Sequence, residues 1–73
     1  MEKNQHVLPH PDGWQVKGEG NERATIVVPT QAEAIEIARE IAINNKSELL
    51  IHDQNGQVRQ KNSYGNDPYP PKG

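Results

Sequence analysis

The stretch Pro29-Thr30-Gln31-Ala32-Glu33-Ala34-Ile35-Glu36-Ile37-Ala38-Arg39-Glu40-Ile41-Ala42-Ile43-Asn44-Asn45 carries the clearest local signal in the chain and decides its fold. Thr30 and Glu33 have the spacing of a capping box, in which hydroxyl and carboxylate each take an orphan backbone N–H. The pattern predicts a helix from Gln31 to Asn44 or Asn45. At about 100° per residue, Ala34, Ile37, Ala38, Ile41 and Ala42 fall on one side, with Ile35 at its border. Glu33, Glu36, Arg39 and Glu40 lie mostly opposite, and Ile43 interrupts that polar side. The small alanines let such a helix sit close against a sheet. Asn44-Asn45-Lys46 then offers residues tolerant of left-handed backbone and a base for the helix C-terminus.

Extended segments flank the helix. Asp12-Gly13, between Val7-Leu8 and Trp14-Gln15-Val16-Lys17, suits a type I′ hairpin turn. Pro9 and Pro11 withhold backbone donors, which places the first strand at a sheet edge or ends it early. A second turn follows at Gly18-Glu19-Gly20-Asn21. Arg23 to Val28 is rich in β-branched residues and reads as a third strand, with Ala24, Ile26 and Val28 on one face and Arg23, Thr25 and Val27 on the other. After the helix, Glu48-Leu49-Leu50-Ile51-His52 reads as an interior strand. Asn55-Gly56 is a further type I′ signal, leading into the edge strand Gln57–Lys61. The expected architecture is α+β: a small antiparallel sheet in the order β-β-β-α-β-β, with one amphipathic helix across one face. Residues 1–62 form this domain and residues 63–73, with three of the six prolines, form an extended tail in which Tyr64 is the anchor.

Composition narrows the function classes. At 73 residues the chain buries only about 60% of the surface its unfolded form exposes. It has no Phe, one Trp and two Tyr, so its core rests on Ile, Val, Leu and Ala. Ten acids against eight bases leave net charge −2, which argues against coating nucleic acid by bulk charge. Without cysteine there is no disulfide, thiolate zinc site or cysteine nucleophile. No run approaches the length of an apolar membrane span, and the polar start lacks the apolar region of a signal peptide. A cytoplasmic protein is the expectation.

His6-Val7-Leu8-Pro9, Gly13-Trp14-Gln15-Val16-Lys17, Thr30-Gln31-Ala32-Glu33-Ala34-Ile35 and Ile51-His52-Asp53 together resemble a family of small bacterial proteins, the domain of unknown function 2188. Gly56-Gln57-Val58-Arg59 and Ser63-Tyr64-Gly65-Asn66-Asp67-Pro68 extend the resemblance to about His6–Pro68. It implies a free-standing bacterial cytosolic protein in which Ser63–Pro68 is a family feature. It brings no activity, ligand or catalytic residue. By element order alone the chain is also similar to antitoxins with a partial ribonuclease H fold and to the arm-binding domains of phage-type integrases, a likeness that implies no function.

Three histidines raise the question of a metal. His6 and His10 share a strand face by parity, and His52-Asp53 supplies further donors, yet two prolines disturb that strand and nothing in the sequence sets His52 beside it. Rim histidines are the simpler reading, and no metal or cofactor is expected. Gly-x-Ser-x-Gly, His-Glu-x-x-His and a phosphate-binding glycine loop are all missing, so catalysis is not expected either. If Val16 and Val58 face inward, Lys17, Arg23, Arg59 and Lys61 gather on the sheet face away from the helix, a modest basic patch for nucleic acid. No stacking aromatic joins them, since Trp14 shares the inward parity of Val16 and packs on the alanine-lined helix. Val27, Leu50 and Ile43 fall outside the helix–sheet layer and mark a protein contact. The expectation is a non-enzymatic protein-binding module, with a homodimer as one form of it. Weak nucleic-acid binding through the four bases is the alternative.

Overall fold

The computed structural model describes residues 3–64. Its elements run in the order β1 (Gln5–His10), β2 (Gly13–Gly18), β3 (Ile26–Val28), α1 (Gln31–Asn45), β4 (Glu48–His52) and β5 (Val58–Ser63). The helix has the expected limits. Thr30 is extended, and its Oγ1 accepts from the Glu33 N–H at 3.2 Å. At the other end Lys46 turns left-handed with φ 54°, and its N–H reaches the carbonyls of Ala42 and Ile43. Ala34, Ala38 and Ala42, one above another at four-residue spacing, are fully buried. Ile35, Ile37 and Ile41 flank them half-buried, while Ile43 is 48% exposed.

The five strands form one sheet in the order β3-β2-β1-β4-β5. Here the structure corrects the expected antiparallel sheet, which is mixed: β1 and β4 pair in parallel, Gln5 opposite Leu49 and Val7 opposite Ile51. The cause is the helix. β1, β2 and β3 form an antiparallel meander, so β3 runs parallel to β1. The helical crossover then returns the chain in that same direction, on the free side of β1. β1 is therefore interior, despite its prolines. β4 covers it only over Gln5–Val7, so Pro9 and Pro11 lie beyond that paired stretch.

Other corrections are local. β3 is only Ile26–Val28, and Arg23 lies in the exposed segment before it. Neither hairpin turn is type I′, because each is centred one residue before its expected glycine pair. His10 pairs with Gly13, leaving Pro11-Asp12 as the first connection, and the Gly56 N–H donates to Asp53 O around Gln54-Asn55. None of these four residues has positive φ. In the second turn the Asp53 carboxylate accepts the N–H groups of Asn55 and Gln57, a side-chain brace for a wider connection. An irregularity between Ile51 and His52 sets Val58 opposite His52, so Val58 points away from the helix and is 50% exposed. Ser63 belongs to β5, not to a tail. Tyr64 packs on the core and its N–H donates to Ser47 O at 3.1 Å. The remainder of the expected tail, 65–73, lies outside the described residues.

Val7, Val16, Leu49 and Ile51 from the sheet and the three alanines of α1 make the core. Trp14 packs half-buried against it, as its shared parity with Val16 requires. Nothing covers the opposite face among the described residues. That outer face sets the site.

Candidate functional site on the outer sheet face

Alternation assigns the outer face. Val16 and Val7 are buried partners, so Lys17 and His6, the next pair, point outward, as do Leu8 and Gln15. Leu50 lies opposite His6 on one side and Lys61 on the other. One row across the sheet therefore reads Lys17, His6, Leu50, Lys61. Beside it stand Val27, Gln15, Leu8, His52 and Val58. Val27 is 37% exposed, and Leu8 and Leu50 are half-buried. An open concavity of about 340 Å³ is lined by His6, Leu8, Lys17, Glu19 and Asn21.

A chain of hydrogen bonds crosses this face. Glu19, in the turn after β2, lies 3.1 Å from His6 Nε2. His6 Nδ1 lies 2.9 Å from His52 Nε2, and His52 Nδ1 lies 2.9 Å from the Gly56 carbonyl oxygen. The two rings are 5.1 Å apart between centroids and tilted by 33°. His52 is 8% exposed, whereas the Glu19 side chain is 55% exposed. The hydrogen bond from His6 holds the Glu19 carboxyl below the usual carboxylate range, helped by a bond from Asn4, against desolvation and with a lesser contribution from the charge of His6.

The sequence candidates separate. Lys17 and Lys61 share the outer row, and Lys61 lies 3.6 Å from Glu48. Arg23 is off the sheet, and Arg59, beside the irregular pairing of β4 and β5, lines a different concavity with Trp14, Gln31 and Asp53. The four bases do not form one patch. Val27 and Leu50 share the outer face, but Ile43 lies on α1, across the core. His6 and His52 meet; His10 instead accepts the Asp12 N–H at 3.0 Å. Among the described residues no three His, Asp or Glu side chains are placed to hold a metal ion. The His6–His52 contact has no sequence signal short of the parallel register of β1 and β4.

A family model described as an uncharacterized protein conserved in bacteria (DUF2188) matches residues 5–64. The chain belongs to the DUF2188 family. The match spans β1 to Tyr64, the whole described fold but for its first two residues. The DUF2188 chain is also 43% identical over 61 residues to the uncharacterized protein YdaT of Bacillus subtilis (strain 168), covering 84% of this chain. It spans 41% of the length of that curated relative. No solved structure matches. Among the described residues no helix is long and apolar enough to cross a membrane.

Proposed function

We propose that this DUF2188 chain is a non-enzymatic, cytoplasmic protein-binding module, that the outer sheet face is its contact surface, and that a second copy of the chain is its partner. One observation carries the reading: Leu8, Val27, Leu50 and Val58 all lie on a sheet face without a covering layer among the described residues, with Gln15 and His52 interleaved between them. Single exposed apolar residues are ordinary, but a group of them on one flat face marks a contact. A small domain with a thin core also gains most from pairing about a two-fold axis. Ile43 takes no part in this contact. Sedimentation across micromolar concentrations tests the reading, with Leu50→Lys as the disrupting variant. The expected result is a concentration-dependent dimer that Leu50→Lys abolishes; a single monomeric species throughout overturns it.

Lys17 and Lys61 in one row support nucleic-acid contact as the second reading. Labelled DNA and RNA titrated at low and moderate salt test that reading, which requires affinity to fall steeply as salt rises. Absence of binding at low salt removes it.

A further inference from the structure

The hydrogen-bond chain on the outer face fixes its own proton count. Its two ends can only accept: the Glu19 carboxylate at one end and the Gly56 carbonyl at the other. Closing the end contacts therefore needs N–H on His6 Nε2 and on His52 Nδ1. The central contact, 2.9 Å between His6 Nδ1 and His52 Nε2, needs one further proton between two nitrogens. Two neutral imidazoles carry two N–H groups, and three contacts require three.

We propose that His6 and His52 bind one additional proton jointly, as a single cationic pair clamped between Glu19 and the Gly56 carbonyl, and that a second additional proton breaks the pair. With one added proton, every contact has one donor and one acceptor. With none, one contact is left with two acceptors, either Glu19 against His6 Nε2 or the two facing ring nitrogens against each other. With two, both central nitrogens carry N–H and cannot bond. The pair ties the turn after β2 to the turn after β4, so breaking it releases each turn from the other across the face. All three contacts lie within one chain, so the property does not need the proposed dimer.

The surrounding charges are few. Lys17 stands beside His6 on β2 and opposes the added proton, whereas Glu19 favours it. Across Leu50, Lys61 and Glu48 offset each other. The Asp53 carboxylate next to His52 is engaged by its own turn, and His10 is held at the far end of β1 by Asp12. α1 packs on the opposite side of the sheet and puts no acid against the rings.

Ring-nitrogen NMR through a pH titration of the full chain tests the proposal. The expected result is two separated steps belonging to the pair, with one of the two facing nitrogens, His6 Nδ1 or His52 Nε2, bare of hydrogen between them. Glu19→Gln provides the second arm, since its amide can donate to His6 Nε2 and so satisfy the neutral pair. The upper step should then move to lower pH by about one unit or more, a tenfold change in proton affinity. Glu19 is mostly exposed, so the variant keeps the fold, and amide spectra check this. Independent single-step titration of each ring, or an upper step that Glu19→Gln leaves in place, overturns the proposal.

Discussion

Leu49 and Leu50 are neighbours in β4 with opposite fates, and the difference between them measures how one-sided the sheet is. Leu49 is fully buried and is the largest side chain so enclosed; Leu50 is half-buried on the outer face. Truncating a buried leucine removes its transfer free energy and leaves a cavity, at a cost of about 2–5 kcal/mol. Leu49 sits between Gln5 and Asn62 in the sheet, with the alanine-lined helix above, and small rigid neighbours refill a hole poorly. The upper half of that range is therefore expected for Leu49→Ala. At roughly 0.05–0.15 kcal/mol per residue, the whole domain has only about 4–11 kcal/mol to lose. Leu49→Ala should bring it to the edge of unfolding, whereas Leu50→Ala in the dilute monomer should cost under about 1 kcal/mol, the scale of a surface change. Urea denaturation of both variants at low micromolar concentration provides the comparison, with equal slopes showing that only stability has changed. Equal losses for the two would mean that both faces are covered, and the reasoning about the outer face would fail.

Thr30→Ala removes the acceptor for the Glu33 N–H and should cost about 1 kcal/mol, seen as a drop of several degrees in Tm. Lys46→Gly should raise Tm, because a side chain at φ 54° carries a strain of about 1 kcal/mol that glycine lacks. The Ser47 hydroxyl is buried without a partner among the described residues, so Ser47→Ala should leave urea stability unchanged or higher. Because Glu19 titrates lower in the fold than in the unfolded chain, its contribution is full above the ordinary carboxylate value. It fades as pH falls through the folded value, and Glu19→Gln should flatten that part of the acid-unfolding curve.

Local features were legible in the sequence wherever their causes are local. The helix limits follow from Thr30, Glu33 and the Asn-Asn-Lys stop, and its buried stripe follows from alanine spacing. The parallel pairing of β1 and β4 was not legible, because Pro9 looks the same at an edge as just beyond a short paired stretch. The turns depart from their sequence motifs for a related reason. Type I′ needs positive φ at both central positions, and each turn is centred one residue before its glycine pair, on Pro11-Asp12 and Gln54-Asn55, where φ is not positive. That choice set a bulge opposite His52, reversed Val58 and carried Arg59 away from Lys61. The histidine pair depends on the same long-range register, so strand parity alone could not bring His6 to His52.

The parallel β1–β4 pair also sets the order in which the chain can assemble. Gln5 meets Leu49 across 44 positions (49 − 5), so this contact closes a long loop and comes late. The contacts within the β1–β2–β3 meander and the β4–β5 hairpin are local and close shorter loops. On the ribosome, the first three strands emerge before the helix that covers Val7 and Val16, and before β4 exists. During that interval the β4-facing side of β1 is an open edge, able to pair with a strand of another nascent chain. The Thr25 N–H donates to Val16 O, so by ladder alternation the Val7 backbone faces β4 and Pro9 is the next residue of that phase. Proline has no N–H to offer there. Pro9 thus shortens the edge that waits for β4 without removing any bond the finished sheet makes.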